Sequence, residues 1–276
     1  MDILNILPED RYNEVDDLLT FVSIYDDDER TRAYESMLRR HRDLIEGRVV
    51  VEAGCGLGLF SAEMARLGAR KVYAVEVNPL LYALAAERVR EHANVTLVQS
   101  DIRAFEPPET VDLLVHDFFG QMLYDEELCV LDTLRFRPAR VLPDRAALRY
   151  GWARREGFCD EVVTPSVLRK LDGVLVSGLF EDEASYRFFR TAAEWSAQGG
   201  LELRENDLTG VGRPTDVLYF GIEIYDGEVL VGRSGCSANW SYVFTPRAGD
   251  RFRVGFESNG RFMEAVFTWD NGLEAT

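Results

Sequence analysis

The sequence predicts an α/β protein in which a doubly wound domain with a parallel sheet precedes a mostly antiparallel domain. Three observations support this fold class. Short apolar runs alternate with helix-like segments as far as about residue 142, and a glycine cluster, GCGLG, directly follows the first apolar run. After LPDR, at 142–145, the chain changes to β-branched and aromatic segments separated by turn residues. The alternation favours a Rossmann-like parallel sheet, and the later pattern favours a β-barrel-like sheet.

Periodicity and turn residues locate the predicted elements in each domain. Strands of the first domain are expected at 48–53, 71–77, 95–99 and 111–115. Helices are expected at 59–67, where Gly68 ends the helix, and at 81–92. In the second domain we expect strands at 217–225, 242–245 and 251–256, and a helix at 183–194. The predicted division is an N-terminal segment (1–25), a cofactor-binding domain (26–144) and a substrate domain (145–276).

Composition disfavours several classes of protein. The net charge of −17 opposes binding to nucleic acid and gives weak support for a cationic substrate. No apolar stretch approaches the roughly 20 residues of a membrane span, and the first residues do not resemble a signal peptide. A cytoplasmic protein without a membrane partner is therefore expected. The four cysteines and three histidines lack metal-ligand spacing, so no metal site is predicted.

The glycine cluster predicts a nucleotide-containing cofactor. Gly54, Gly56 and Gly58 lie between a strand and a helix, where the main chain can approach a ligand closely. Dinucleotide sites need G-x-G-x-x-G, and this chain has Leu59 at the third glycine position. The pattern therefore favours S-adenosylmethionine over a dinucleotide.

Acidic residues after the second and third strands complete this predicted site. Glu76 ends the second strand, where its carboxylate can accept hydrogen bonds from both hydroxyls of a ribose. Asp101 follows the third strand and is the candidate acceptor for the adenine amino group, with Ile102 beside it. The alternative interpretation is a tight strand–helix turn with solvated acids.

The segment after the fourth strand, VHDFFGQMLYDEEL at 115–128, combines acids with aromatic and apolar residues. Asp117 follows the strand directly, and a turn at Gly120 would bring one of the later acids to the same pocket. Two carboxylates could bind the planar fork of a guanidinium and leave its third nitrogen able to attack a sulfonium methyl group. A nearby acid would accept the released proton. The alternative is an acidic surface turn.

Several segments resemble the protein arginine methyltransferases, over most of residues 25–276. DDDERTRAY, at 26–34, is similar to the family's D-E-x-R-T-x-x-Y segment. VVVEAGCGLGLFS and GARKVYAVE resemble its first two strands and their loops, and HDFFGQMLYDEEL resembles its double-glutamate loop. LPDRAAL is similar to the start of its barrel, and NWSYVF, at 239–244, to its threonine–histidine–tryptophan loop. The resemblance implies S-adenosylmethionine as cofactor, N-methylation of arginine and a homodimer.

The resemblance also implies roles for individual residues. Arg30 would bind the carboxylate of the cofactor, and Asp117 and Glu126 would take the two acid positions. Asp27 corresponds to the aspartate that pairs with the loop histidine of the family. Trp240 would pack beside the substrate. No counterpart of the family's tyrosine-bearing N-terminal helix is recognised in the sequence.

Two departures from the family leave the acceptor open. Asp117 is one methylene shorter than the family's glutamate, and Asn239 replaces the loop histidine and cannot act as a base near neutral pH. His116 is the candidate to substitute in part for that base. The expected reaction is methylation of a guanidinium, in a protein arginine or in a free arginine-like metabolite. The alternatives are methylation of another amine or a hydroxyl, and a binding subunit that keeps the fold without catalysis.

Overall fold

The computed structural model of the chain describes residues 8–178, 180, 186–237, 239–260 and 262–270, without the side chain of Asp17. The chain divides into two compact units. The first unit comprises Met1–Asp117 and Val130–Pro143, and the second comprises Phe118–Cys129 and Asp144–Thr276. The chain therefore leaves the first unit directly after Asp117 and returns to it at Val130.

A five-stranded parallel sheet forms the centre of the first unit. Its strands are β1 (Val49–Ala53), β2 (Lys71–Glu76), β3 (Val95–Gln99), β4 (Leu113–His116) and β5 (Arg140–Leu142). Their spatial order is β3-β2-β1-β4-β5, and every neighbouring pair is parallel. β1 and β4 are buried along their whole length, as expected for inner strands of a covered parallel sheet. The order reverses between β1 and β4, and open α/β sheets bind ligands beyond the carboxyl ends of strands at such a point.

In the described part of the first unit, five α-helices accompany this sheet. They are α1 (Glu9–Asp26), α2 (Asp28–Arg40), α3 (Arg42–Ile45), α4 (Leu59–Arg66) and α5 (Pro79–Val89). α2 begins where the carboxylate of Asp27 accepts a hydrogen bond from the backbone N–H of Arg30, at 3.1 Å. α5 begins after Asn78, whose side chain accepts from two backbone N–H groups, and Pro79 fits the first helical position.

Among its described residues, the second unit contains two antiparallel sheets and one short α-helix, α6 (Pro165–Leu168). Its strands are β6 (Arg145–Ala153), β7 (Val176–Ser177), β8 (Arg190–Ser196), β9 (Gly200–Leu203), β10 (Asn206–Asp207), β11 (Val217–Asp226), β12 (Val229–Arg233), β13 (Val243–Pro246), β14 (Arg251–Ser258) and β15 (Met263–Trp269). The larger sheet has the order β7-β13-β11-β6-β8-β9, with β12 also paired to β11, and the smaller has the order β10-β14-β15. Aromatic side chains such as Phe158, Tyr219 and Phe244 fill a core cluster of this unit.

The predicted fold class is confirmed by this architecture. Each of the seven predicted strands is present, with boundaries that differ by at most two residues, and both predicted helices of the first domain form. The helix predicted at 183–194 is wrong where the structure describes it, because Arg190–Ser196 is strand β8. Pairing with β6 on one side and β9 on the other overrides the helix propensity of its alanine and glutamate residues. Residues 183–185 lie outside the described residues.

The N-terminal region also corrects an expectation. A helix with Tyr12 and Tyr25 is present, as α1, although the sequence had shown no counterpart of the family's N-terminal helix. The apolar residues of α1 are not confined to one face, since Leu19 and Val22 are 58% and 44% exposed. The sequence therefore lacks the single apolar stripe by which an amphipathic helix is recognised.

No helix in the described part of the chain combines the length and apolar content needed to cross a membrane. Within the same residues, no three side chains of His, Cys, Asp or Glu gather in a way that could hold a metal ion.

Candidate functional site

The loop after β1 contains three glycines in the left-handed region of backbone conformation. The φ angles of Gly54, Gly56 and Gly58 are +67°, +52° and +74°. Residues with a β-carbon adopt these angles only with strain, so the sequence pattern G-x-G-x-G is required by the main chain itself. The last of these glycines is the residue before α4, and a β-carbon there would lie 3.2 Å from Val89 of α5. The loop therefore turns tightly at the carboxyl end of β1.

Glu76 connects this loop to the end of β2. Its Oε2 accepts a hydrogen bond from the N–H of Gly56, and its Oε1 accepts from the N–H of Asn78, both at 2.8 Å. The residue is 4% exposed, and burial raises the pKa of Glu76 against the opposing effect of these N–H groups. The carboxylate thus stands at the sheet edge where the sequence had suggested a ribose contact.

Arg30 and Asp117 form a buried ion pair beside the end of β4. Nε and Nη2 of the guanidinium each lie 2.8 Å from Oδ2 of Asp117. The other oxygen, Oδ1, is buried and accepts no hydrogen bond of standard geometry among the described residues. The hydroxyl of Tyr34 interacts with the same carboxylate, and burial, followed by the charge of Asp117 and a hydrogen bond to it that lacks standard geometry, raises the pKa of Tyr34. Asp117 therefore uses only one of its two carboxylate oxygens in the ion pair with Arg30.

Glu52 is a third carboxyl group at this edge, and sequence reasoning missed it. It lies in β1, is 2% exposed and accepts hydrogen bonds from the hydroxyl and the backbone N–H of Ser61 in the first turn of α4. Burial is the main cause that raises the pKa of Glu52 to about 8, and the charges of Glu76 and Asp117 add to it. An acid within an otherwise apolar strand, VVVEA, was the available signal.

Tyr25, near the end of α1, covers the glycine loop and was also missed. Its hydroxyl donates to the carbonyl oxygen of Cys55 at 3.1 Å. A β-carbon added to Gly56 would lie 2.7 Å from the same hydroxyl. Burial, then the charge of Glu52, raises the pKa of Tyr25. The hydroxyl of Tyr25 therefore lies near the carboxyl groups at this edge of the sheet.

The predicted adenine contacts lie in the turn after β3. Both oxygens of Asp101 accept from the guanidinium of Arg103, at 2.6–3.0 Å, and these bonds lower the pKa of Asp101. Ile102 is 7% exposed. Asp101 would have to share its oxygens with Arg103 in order to accept from an adenine amino group.

The acidic loop of the second unit turns back on itself, as the sequence suggested. The N–H of Leu123 donates to the carbonyl of Gly120 at 3.0 Å, and Leu123 has a φ of +79°. A β-carbon on Gly120 would collide with the carboxylate of Asp125 and lie 3.0 Å from Cγ of Glu126. Asp125 accepts from the N–H of Met122 at 2.8 Å, whereas the side chain of Glu126 is exposed. The absence of a side chain at Gly120 thus lets Asp125 and Glu126 lie close to the main chain of this residue.

Asn239 and Trp240 belong to the second unit. Trp240 is 1% exposed, and its ring lies against Gly232 of β12. Its backbone N–H donates to Ser237 at 3.2 Å, and Asn239 is half-buried in the same turn. The indole is therefore a core side chain of this unit, and a contact with substrate would require it to move.

His116 does not suit the role of a substitute base. It is 1% exposed, and its Nε2 lies 3.1 Å from the carbonyl oxygen of Pro143. Burial lowers the pKa of His116 to about 4. The imidazole is thus neutral near pH 7 and is enclosed within the first unit. Asp27 likewise has a structural role, as the cap of α2.

Comparison with known proteins identifies the relatives of this arrangement. A family model described as a methyltransferase domain matches residues 50–131. The probable protein arginine N-methyltransferase 6 of Arabidopsis thaliana is 34% identical over 127 residues, which cover 43% of this chain and 29% of that protein. Protein arginine N-methyltransferase 1 of Schizosaccharomyces pombe is 31% identical over 153 residues, which cover 49% of this chain and 44% of that protein. The matched parts thus span less than half the length of these relatives.

Two solved structures share the fold of this chain. A crystal structure of PRMT6 has a TM-score of 0.68 and 14% identity, and it covers 92% of this chain and 99% of that chain. The Trypanosoma brucei PRMT1 enzyme–prozyme heterotetrameric complex with AdoHcy has a TM-score of 0.61 and 17% identity, with coverage of 92% and 94%. At such identities the likeness is one of architecture. The resemblance inferred from the sequence is confirmed by the curated relatives.

Proposed function

We propose that this chain, whose methyltransferase domain is related to those of the protein arginine methyltransferases, transfers a methyl group from S-adenosylmethionine to a guanidinium nitrogen. The acceptor in this proposal is a protein arginine or a free arginine-like metabolite. The observation that carries it is the state of Asp117. One oxygen of this carboxylate binds a guanidinium, that of Arg30, and the other is buried and accepts no hydrogen bond of standard geometry among the described residues, with only the hydroxyl of Tyr34 near it.

A second guanidinium suits the unbonded oxygen of Asp117. A buried acceptor left without a donor costs about 1–3 kcal/mol, which an incoming N–H group would recover. A guanidinium presents several N–H donors in one plane and remains protonated at neutral pH. Positive charge drawn to the nitrogen bound by Asp117 would leave electron density on another guanidinium nitrogen, which could attack the methyl group. A nearby acid would accept the proton released from that nitrogen. Glu126 is the second acid of the proposal, on the likeness of its loop to the family's double-glutamate loop.

The residues of the first unit fit the cofactor. The left-handed glycine loop lets the main chain approach a ligand, and the carboxylate of Glu76 at the end of β2 suits ribose hydroxyls. Asp101 and Ile102 lie after β3, where the adenine ring would bind. Arg30 holds Asp117 in place and remains the proposed partner of the cofactor carboxylate. When bound, S-adenosylmethionine supplies an electrophilic methyl group on a positively charged sulfur.

The test is a methyl-transfer assay with matched acceptors. The protein is incubated with methyl-labelled S-adenosylmethionine and free arginine, an arginine-rich peptide, or the same peptide with lysine at every arginine. Label in arginine or in the arginine peptide, but not in the lysine peptide, is the expected result. Mass spectrometry of the product then locates the methyl group on the guanidinium.

Each remaining outcome supports a different conclusion. Label confined to the lysine peptide, or to a hydroxyl compound, would favour the alternative acceptor that the Asp117 and Asn239 replacements suggest. No transfer despite measurable binding of S-adenosylhomocysteine would favour a binding subunit without catalysis. Absence of binding would contradict the cofactor site itself.

Self-association is part of the proposal, because the resemblance implies a homodimer and a related T. brucei enzyme is described as a heterotetrameric complex. Light scattering at the concentrations of the assay is expected to give twice the mass of the 31.4 kDa chain. A mass equal to one chain would contradict the proposed homodimer and would leave the proposed reaction unaffected.

A further inference from the structure

Three carboxyl groups share one face at the carboxyl edge of the parallel sheet. In the pairing of β1 with β2, Glu52 lies opposite Ala74, so the alternation of side chains places Glu52 and Glu76 on the same face. In the pairing of β1 with β4, Glu52 lies opposite Val115, and Asp117 follows two residues later. The chain thus brings three acids together beside the glycine loop.

The side chains around Glu52 contribute more negative charge than positive charge. The charged side chains that act on it are Glu76 from β2 and Asp117 after β4. Asp117 is itself held by Arg30 from α2, which therefore offsets one charge of the three.

The remaining neighbours of Glu52 do not balance its charge near neutral pH. Ser61 from α4 donates two hydrogen bonds to Glu52, while Tyr25 from α1 and Cys55 in the loop lie within its electrostatic reach. Burial raises the pKa values of Tyr25 and Cys55, so neither side chain ionises in this range. His116 lies opposite Ala53, on the other face of the sheet.

We propose that Glu52 distinguishes the positively charged methyl donor from its neutral product by releasing a proton when the donor binds. This inference rests on the proposed function, since it assumes that S-adenosylmethionine binds at the glycine loop. It assigns to Glu52 a role in ligand specificity that is separate from the acids that would contact the guanidinium.

The charge balance of the two ligands explains the effect. S-adenosylmethionine carries a sulfonium, and S-adenosylhomocysteine carries an uncharged thioether at the same position. A cation near a buried carboxyl group favours the ionised form. Binding of the donor would bring a positive charge to this acidic edge of the sheet; the O–H bond of Glu52 would then break, and its proton would pass to solvent. With the uncharged product bound, Glu52 would keep its proton, and the product would lack that attraction.

The expected pH dependence follows from linkage. In the free protein Glu52 keeps its proton up to about pH 8, because burial raises its pKa to that value. Below that pH, donor binding is coupled to proton release, so donor affinity should rise by up to about tenfold per pH unit and level off above it. Product affinity should lack this rise.

The experiment is titration calorimetry of donor and product in two buffers of different ionisation enthalpy, from about pH 6 to about pH 9. The wild-type protein should release more protons on binding the donor than on binding the product. Glu52→Gln keeps the shape of the side chain and should remove that excess, together with the rise in donor affinity. The amino group of both ligands titrates equally in the wild-type protein and the variant, so the comparison cancels it.

Ser61→Ala provides a second, independent variant. The bonds from Ser61 lower the pKa of Glu52, so their partial loss should move the levelling-off of donor affinity to higher pH while proton release persists. A purely structural role of Glu52 would weaken both ligands without changing the number of protons released.

Two results would overturn the inference alone: a change in proton release between the wild-type protein and Glu52→Gln that is equal for donor and product, or an unchanged pH profile in Glu52→Gln. Absence of binding of either ligand to the wild-type protein would instead contradict the proposed function on which the inference rests.

Discussion

The proposed chemistry requires the negative charge of Glu126. Glu126→Gln keeps the length and shape of the side chain but removes the charge that would stabilise the reacting guanidinium. We expect turnover to fall by about 10²–10³, because a charged group acting in the transition state is lost, while affinity for S-adenosylhomocysteine stays unchanged. Glu127→Gln, at the neighbouring exposed glutamate, is the matched control. Equal turnover of the two variants would remove Glu126 from the catalytic residues.

His116 links a single buried side chain to the stability of the fold. Burial lowers the pKa of His116 to about 4, so the folded chain holds it neutral where the unfolded chain protonates it, below about pH 6.5. The unfolded state then binds more protons, and the free energy of unfolding falls as pH drops from about 6.5 to 4, by up to about 3 kcal/mol. Above about pH 6.5, His116 does not contribute to the pH dependence of the free energy of unfolding.

His116→Gln should remove this contribution and flatten the pH dependence of urea unfolding in the same range. Glutamine can still donate to the carbonyl of Pro143 in place of Nε2. His92→Gln, at a partly exposed histidine, is the control and should retain the wild-type slope. An identical slope in both variants would contradict the assignment of the acid-sensitive group to His116.

The single residues that the sequence identified are those whose backbone or sequence position restricts them. Positive φ angles account for Gly54, Gly56 and Gly58, and a strand end accounts for Glu76. Glu52 and Tyr25 could not be found in the same way. Their chemistry depends on neighbours that are distant along the chain, since Tyr25 bonds to Cys55 thirty residues away.

At the scale of elements, the packing of α1 on the glycine loop can be measured by a double-mutant cycle. Gly56→Ala adds a β-carbon at a left-handed φ, which costs about 1–2 kcal/mol, and places it 2.7 Å from the hydroxyl of Tyr25. Tyr25→Phe removes that hydroxyl. We therefore expect Gly56→Ala to destabilise the Tyr25→Phe protein less than the wild-type protein, by about 1 kcal/mol in denaturant unfolding.

Gly47→Ala is the control for backbone strain alone. Its φ is +71°, and a β-carbon there would meet no atom within 4 Å. Its cost should add to that of Tyr25→Phe without coupling. Similar coupling energies for Tyr25→Phe with Gly56→Ala and for Tyr25→Phe with Gly47→Ala would show that α1 does not pack tightly against the glycine loop.

Elements were predictable where one face or one run of residues determines them. The mostly apolar and fully buried β1 and β4 were found because inner strands of a parallel sheet are buried on both faces. α1 was missed because its apolar side chains are distributed around the helix. β8 was read as a helix because its residues favour one locally, and only pairing with β6 and β9 makes it a strand.

At the scale of the whole molecule, charge separates the two acceptor classes. The chain has 48 acidic and 31 basic side chains, and its isoelectric point is about 4.7. Such a surface attracts a polycationic peptide over distances that salt screens, with a Debye length of about 10 Å at 0.1 M ionic strength. Free arginine has a carboxylate that balances its amino group, so its guanidinium leaves it with a single net positive charge. The long-range attraction for it should be small.

The prediction uses two peptides with one arginine each, flanked by lysines in the first and by serines in the second. If the protein acts on protein arginine, kcat/KM for the lysine-flanked peptide should fall by roughly tenfold between about 50 mM and about 500 mM salt. The serine-flanked peptide should change little, which separates surface attraction from chemistry at the same guanidinium. Equal salt dependence for both would show that the acidic surface does not select the acceptor. Turnover of free arginine alone, insensitive to salt, would instead assign the site to a small metabolite.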